Sequence, residues 1–201
     1  MGATCVIYNP AAGRGRAARL LNALPSELAR GVELRPTAAE GHAVELARAA
    51  CDAGFARVVA AGGDGTVHEV ANGVLQSGRR DVVFGVWPIG SANDFAFTLG
   101  LGAWWRLREQ NPTLETLAAD VGRVTAAGRD RFFVNCAGVG FNGMVTTEAR
   151  KTKWLAGLPL YAWAFVKSMV KHFDTPAMSV TFDGRTVTGP TLALSVLNGQ
   201  R

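Results

Sequence analysis

Gly62-Gly63-Asp64-Gly65-Thr66 stands between an apolar run, Val58-Val59-Ala60-Ala61, and a helix-like stretch from Val67 to Leu75. Glycine lets the main chain come close to an anion, because no side chain intervenes and positive φ is permitted. The amides that open the next helix then face that anion with the positive end of the helix dipole behind them. The run therefore reads as a phosphate cradle, with Thr66 suited to the helix N-cap or first turn. Asp64 would repel a bare phosphate, so a cation such as Mg²⁺ belongs between them, and a metal-bound nucleotide fits better than a free anion.

Two more segments share this form. Asn9-Pro10-Ala11-Ala12-Gly13-Arg14-Gly15 leaves an apolar run and enters a helical one. Asn9 would fix the turn, with Gly13, Gly15 and Arg14 toward a phosphate or an adenine ribose, although an ordinary strand-to-helix turn uses the same residues. Pro88-Ile89-Gly90-Ser91-Ala92-Asn93-Asp94 repeats the pattern. There Ser91 would cap the next helix and offer a hydroxyl to a phosphate oxygen, and Asn93 and Asp94 would add an amide and a carboxylate; a plain capped helix start is the alternative. Taken together the three loops read as one phosphate site, since a neutral turn needs neither repeated glycine nor an acid beside it.

The elements that must position these loops alternate. Cys5 to Tyr8, Val32 to Arg35, Arg57 to Ala61 and Val82 to Trp87 read as short buried strands, and Arg16 to Leu24, Glu40 to Ala53 and Thr66 to Gln76 as helices between them. Such alternation implies βαβ units and a parallel sheet, whose ligands bind beyond the carboxyl ends of the strands. Near Ala118 the grammar changes to hairpins: Asp120 to Thr125 with Arg131 to Cys136, then Met178 to Phe182 with Arg185 to Thr188, and a further strand from Leu192 to Leu197. Phe141 to Phe173 reads as mostly helical, interrupted near Gly157 to Pro159. The expected fold is α/β: residues 1–120 form a parallel-sheet nucleotide-binding domain, and residues 121–201 an incomplete antiparallel β-sandwich with a helical insertion.

Composition narrows the partners. At 201 residues, with 48% hydrophobic and 18% charged residues, the chain has ample material for a core and little for disorder. A formal charge of +5 favours nucleotide phosphates, anionic lipid head groups or nucleic acid. No helix-turn-helix, zinc-finger spacing or aromatic-basic RNA-binding signature appears, so nucleic acid is not the expected partner. Cys5, Cys51 and Cys136 are scattered, odd in number and in apolar contexts, which predicts reduced, buried thiols in the cytoplasm. The apolar run Leu155 to Val166 is too short to span a bilayer.

The loops, in this order, resemble those of the lipid kinase family that includes bacterial diacylglycerol kinases and the sphingosine and ceramide kinases. The matching elements are Asn9-Pro10 with Gly13, Thr37 ahead of Gly41-His42-Ala43, Gly62 to Thr66 with Glu69 and Asn72-Gly73, Pro88 to Ala96, and, further on, Asp120-Val121-Gly122 and Phe133 to Phe141. The shorter Gly-Gly-Asp-Gly-Thr is shared with NAD kinases, but the Pro-Ile-Gly-Ser-Ala-Asn-Asp segment looks like the lipid branch. The resemblance implies ATP- and Mg²⁺-dependent phosphorylation of a lipid hydroxyl, diacylglycerol-like or sphingoid. It implies that Thr37, Gly62, Gly63, Asp64, Gly65, Thr66, Val67, His68 and Ser91 hold ATP and that Asn9 supports the loop nearest the nucleotide; Gly13, Gly90 and Asn93 of the glycine loops complete the candidate nucleotide-binding set. Ser91 stands where many relatives have Thr, and His68 where many have Asn; a solvent-facing helix histidine is the alternative for the latter. Asp64, Asp94 and Asp120 are the candidate set for Mg²⁺ through water, with a strand-end residue the alternative for Asp120.

In that family the base that takes the acceptor's proton is an Asp in a later Asp-Gly segment, beyond an Asn-Gly like Asn198-Gly199. Asp183-Gly184 reads as a hairpin turn, so the catalytic base is expected beyond Arg201. The competing functions are an NAD kinase and a non-catalytic nucleotide-binding or membrane-associated module. Arg150-Lys151-Thr152-Lys153-Trp154, then apolar residues with Tyr161 and Trp163, then Lys167, Lys171 and His172, reads either as a segment docking on an anionic membrane surface or as an amphipathic helix covering the second domain's sheet. Trp104-Trp105-Arg106 adds an aromatic-basic cluster. The expected location is the cytoplasm, peripheral at the inner membrane surface, and apolar surface left exposed by truncation would let the chain form a homodimer or aggregate.

Overall fold

The computed structural model describes residues 2–23, 31–101, 116–152, 158–172 and 174–200. The Trp104-Trp105-Arg106 cluster, Lys153-Trp154 and the ends of two expected helices, Leu24 and Phe173, lie outside the described residues. The chain forms two compact units, Met1–Asn135 with Asn198–Arg201, and Cys136–Leu197.

The first unit is built on a four-stranded parallel sheet. Its strands are β1 (Thr4–Tyr8), β2 (Val32–Pro36), β3 (Arg57–Gly62) and β4 (Val83–Pro88), in the order β2-β1-β3-β4. The helices between them are α1 (Ala12–Asn22), α2 (His42–Asp52) and α3 (Asp64–Gln76), followed by the short α4 (Asp94–Thr98). Strand alternation divides the core in two, as a sheet covered on both faces requires. Cys5, Ile7, Val58 and Ala60 meet Ala43, Ala47 and Cys51 of α2 and Val67, Val70 and Val74 of α3. Val6, Tyr8 and Ala61 meet Ala17 and Leu21 of α1 together with Ile89.

Helices α2 and α3 approach closely because Gly73 has no side chain: a Cβ there would lie 2.4 Å from the Val44 carbonyl oxygen and 2.6 Å from the Ala47 Cβ. Glu69 of α3 ties the same pair at its start, accepting hydrogen bonds from Gly41 N–H (2.9 Å) and Ala43 N–H (3.2 Å). Those amides belong to the first turn of α2, where a carboxylate also meets the helix dipole favourably.

The hairpin of β5 (Gly122–Ala126) and β6 (Arg129–Phe133) turns through Ala127 and Gly128, both at positive φ. It belongs to the first unit, so the division falls after Asn135 rather than near residues 118–122 as the change in strand grammar suggests. The reason is a clamp. Asn72 of α3, 1% exposed, donates to the Phe132 carbonyl (2.8 Å) and accepts from Phe132 N–H (2.9 Å), so it mimics a neighbouring strand.

The second unit holds β7 (Cys136–Gly140) paired antiparallel with β10 (Ala193–Leu197), the hairpin β8 (Ala177–Phe182) and β9 (Arg185–Pro190), and the helices α5 (Phe141–Lys151) and α6 (Leu158–His172). Asp183 and Gly184 take positive φ in the β8–β9 turn, as an Asp-Gly two-residue loop should. Phe141 and Phe165 meet edge to face at 5.4 Å between α5 and α6. Among the described residues of α6 the fully buried side chains are the small Ala164 and Ser168, while Tyr161, Phe165, Val166 and Val170 are exposed. Among the described residues no helix is long and apolar enough to cross a membrane.

Cys5 and Cys51 are buried as expected, and burial pushes the Cys5 thiol up to about 11. Cys136 is exposed instead. Its neighbour Val134 packs into the first unit's core, whereas Cys136 begins β7, one strand of a two-stranded sheet.

Glu148 is buried between α5 and α6 and pairs with Lys167 at 2.6 Å and Lys151 at 3.1 Å. Lys167 first, then Lys151, hold its carboxyl well below the ordinary 4.5, at about 2. A depressed folded-state value means stability that is present above about pH 4.5 and is lost as pH falls toward 2. The expected result is that urea stability declines across this window and that Glu148→Gln flattens the decline, as read from denaturation midpoints between pH 2 and 6.

Candidate functional site

Strands β1, β3 and β4 are neighbours in the sheet, and the three glycine loops leave their carboxyl ends side by side. The first loop is an Asx turn, with Asn9 Oδ1 accepting from Ala11 N–H at 2.9 Å while Asn9 N–H donates to Ala61 of β3. Gly13, Arg14 and Gly15 then take positive φ in succession, so the regular helix starts at Arg16, where the sequence places it.

The second and third loops are stitched together. Ile89 N–H and Gly90 N–H both donate to the Gly62 carbonyl, at 2.9 and 3.1 Å. A Cβ on Gly90 would stand 2.4 Å from Gly63 Cα, and one on Gly13 would stand 2.7 Å from the Ile89 carbonyl oxygen. All three loops therefore meet at one rim, in contacts that leave no room for side chains.

Gly63 is the extended N-cap of α3 and carries no side-chain cap; Val67 N–H makes the first intrahelical bond, back to Gly63. The amides of Asp64, Gly65 and Thr66 thus open the helix without intrahelical partners. Thr66 is buried in that first turn, where a Cβ on Gly62 would strike its hydroxyl at 2.5 Å. Val67 is in the core, so only its main chain is near the rim, and His68 and Asn72 sit on the same helix with the His68 carbonyl accepting from Asn72. Thr37, just beyond β2, is tied to the sheet by its N–H donating to Tyr8 at 2.8 Å.

Ser91 does not take the N-cap of α4. That place falls to Asn93, at φ 56°, with Ser91 exposed two residues earlier. Asn93 Nδ2 donates to the Gly90 carbonyl at 2.9 Å, and its Oδ1 is buried without a hydrogen-bond partner.

The three carboxylates are arranged differently from one another. Asp64 Oδ1 accepts from Phe95 N–H and from Asn135 Nδ2, each at 3.3 Å. Asp94 begins α4. Asp120 is exposed, and its carbonyl accepts from Asn198 Nδ2 at 2.8 Å. Among the described residues no three His, Cys, Asp or Glu side chains form a direct metal cluster. A cavity of about 250 Å³ opens beside α4, lined by Phe95, Thr98, Leu99, Leu117, Ala118, Ala119, Asp120 and Asn198. Neither the contact of Asn135 with Asp64 nor the clamping role of Asn72 is legible in the sequence beyond one signal, a carboxamide inside the otherwise apolar run Phe132 to Ala137.

This is a parallel α/β domain whose strand ends and one helix N-terminus form a glycine-closed rim suited to an anion, followed by antiparallel strands. Residues 3–124 match the diacylglycerol kinase catalytic domain, and the chain belongs to that family. It is 30% identical over 192 residues to the diacylglycerol kinase of Bacillus subtilis (strain 168), a match covering 92% of this chain and 61% of that one. It is 42% identical over 120 residues to the Probable lipid kinase YegS-like of Chromohalobacter salexigens, covering 57% of this chain and 36% of that one. The crystal structure of a diacylglycerol kinase from Bacillus anthracis str. Sterne superposes with a TM-score of 0.64 at 22% identity, over 100% of this chain and 65% of that one, and shares its fold. The chain thus spans less than two thirds of the length of these relatives.

Proposed function

We propose that this chain is the nucleotide-binding part of an ATP- and Mg²⁺-dependent lipid kinase acting on the primary hydroxyl of a diacylglycerol-like or sphingoid lipid. The observation that carries the reading is the meeting of three glycine loops at one rim, where Gly13 lies against Ile89 and Gly63 against Gly90. The residues there fit a phosphate chain: the packed loops keep side chains off the rim, the space beside Gly65 is open, and the first amides of α3 lack intrahelical partners. Asn9, Gly13, Thr37, Gly62 to His68, Gly90, Ser91 and Asn93 would hold ATP, with Asp64, Asp94 and Asp120 holding Mg²⁺ through water. The bound metal would supply charge neutralisation on the transferred phosphoryl group. The names of the relatives support a lipid acceptor.

Docking to an anionic membrane surface belongs to the same reading, since α6 exposes Tyr161, Phe165, Val166 and Val170 near the cation Lys171. The cavity beside α4 offers apolar Phe95, Leu99 and Leu117 next to Asp120, a mixed lining that suits the polar end of a lipid.

The test is a thermal-shift titration with ATP and MgCl₂, followed by transfer of labelled phosphate to a panel of lipids and to NAD. The expected result is a rise in melting temperature with ATP and Mg²⁺ for this chain, and label on lipid from a longer chain that includes the Asp-Gly segment expected beyond Arg201. Label on NAD overturns the acceptor, binding without transfer points to a nucleotide-binding module, and no shift at saturating nucleotide overturns the reading.

A further inference from the structure

Asn135 lies at the bend after β6, and its carboxamide nitrogen reaches Asp64 Oδ1 at 3.3 Å from 71 residues away in sequence. The same oxygen accepts from Phe95 N–H, so two amides occupy it. A carboxylate oxygen has about two acceptor sites, which leaves Oδ2 as the atom available for outside contacts. Among the described residues no hydrogen bond is made to Asp64 Oδ2.

Asn135 keeps this orientation at a cost: its own Oδ1 is buried with no hydrogen-bond partner. Turning the carboxamide over would set oxygen against the Asp64 carboxylate, so the negative charge on Asp64 dictates which end of Asn135 faces it. An orphaned buried acceptor is otherwise rare, and it fits a place where a donor arrives with a ligand, such as water on a hydrated cation.

The bend itself is held. The Asn135 carbonyl accepts from Asn198 N–H (2.7 Å) and Gly199 N–H (2.9 Å), and Asn198 Nδ2 donates both to Val134 and to Asp120 carbonyls, at 3.0 and 2.8 Å. A continuous hydrogen-bonded path thus runs from the Asp64 carboxylate through Asn135 and Asn198 to the backbone of Asp120.

We propose that Asn135 is a positioning residue that orients Asp64 toward a hydrated divalent cation, with Asn198 fixing the bend that carries it. This rests on the nucleotide reading above and names a residue through which that site handles its metal. Groups that orient metal-binding side chains typically change metal affinity by about ten- to a hundredfold when removed.

The test is calorimetric titration of the 201-residue chain with ATP, once with MgCl₂ and once with EDTA, for wild type, Asn135→Ala, Asp64→Asn and the double variant. Asn135→Ala is expected to lower affinity for ATP with Mg²⁺ by about tenfold or more while leaving affinity in EDTA within about twofold. In the Asp64→Asn background it should add nothing. Asn135→Ser, too short to reach Asp64, serves as the second variant should alanine at the bend not fold. An unchanged magnesium-dependent gain in either variant, or an equal loss with and without the metal, overturns the proposal. Wild type that binds ATP without any gain from Mg²⁺ also overturns it alone; wild type that binds no ATP in either buffer removes the nucleotide reading and this proposal with it.

Discussion

Gly90→Ala is expected to eliminate the thermal shift produced by ATP and Mg²⁺ and to weaken nucleotide binding by about a hundredfold or more, with the α/β core still folded. The added Cβ would stand 2.4 Å from Gly63 Cα and 2.9 Å from Asn93 Oδ1. Neither obstacle can rotate away: one is main chain, and the other belongs to a side chain held by its bond to the Gly90 carbonyl. The second and third loops must therefore separate by about 1 Å against the two hydrogen bonds that Ile89 and Gly90 make to Gly62. A displacement of that size at a site built on fixed geometry costs about a hundredfold. The folding cost is that of overpacking one contact, about 1–3 kcal/mol. Calorimetric titration measures the first effect and urea denaturation the second. Wild-type affinity in this variant would show that the two loops bind nucleotide without touching.

That contact was half legible in the sequence. Each glycine loop follows a buried apolar strand, and β1, β3 and β4 are read from Cys5 to Tyr8, Arg57 to Ala61 and Val82 to Trp87 because both faces of a parallel sheet are covered. The start of regular helix at Arg16 was legible for a local reason, since Gly13-Arg14-Gly15 supports a run of positive φ. What local pattern does not carry is pairing at a distance. Ser91 reads as the cap of α4, yet Asn93 holds that place, with its carboxamide donating to the Gly90 carbonyl. β7, Cys-Ala-Gly-Val-Gly, has weak strand character and forms against β10, more than fifty residues on. The site shows the same limit, for Asp64 was readable from its glycines while Asn135, which aims it, was not.

The limit is clearest at Asn72, and it yields the second large effect. Hairpin grammar beginning near Asp120 suggests a new domain, but the carboxamide of Asn72 binds β5–β6 to α3 through both main-chain groups of Phe132. Asn72→Ala would leave the Phe132 N–H and carbonyl unpaired beneath a side chain that is 1% exposed. At about 1–3 kcal/mol for each stranded group, the expected loss is about 3 kcal/mol or more, measured by urea denaturation with circular dichroism. Cavity formation alone would give a smaller loss with no dependence on charge, and Asn72→Asp separates the two. Its carboxylate could still accept from Phe132 N–H, but it would set a second oxygen against the Phe132 and His68 carbonyls, which now accept from Nδ2. Burial and those carbonyls favour the protonated acid, which restores one donor. Asn72→Asp should therefore regain stability as pH falls, opposite in sign to the loss expected from the Glu148 pair. A loss below about 1 kcal/mol in Asn72→Ala, or an Asn72→Asp variant that gains nothing on acidification, would mean that packing alone holds the hairpin to α3.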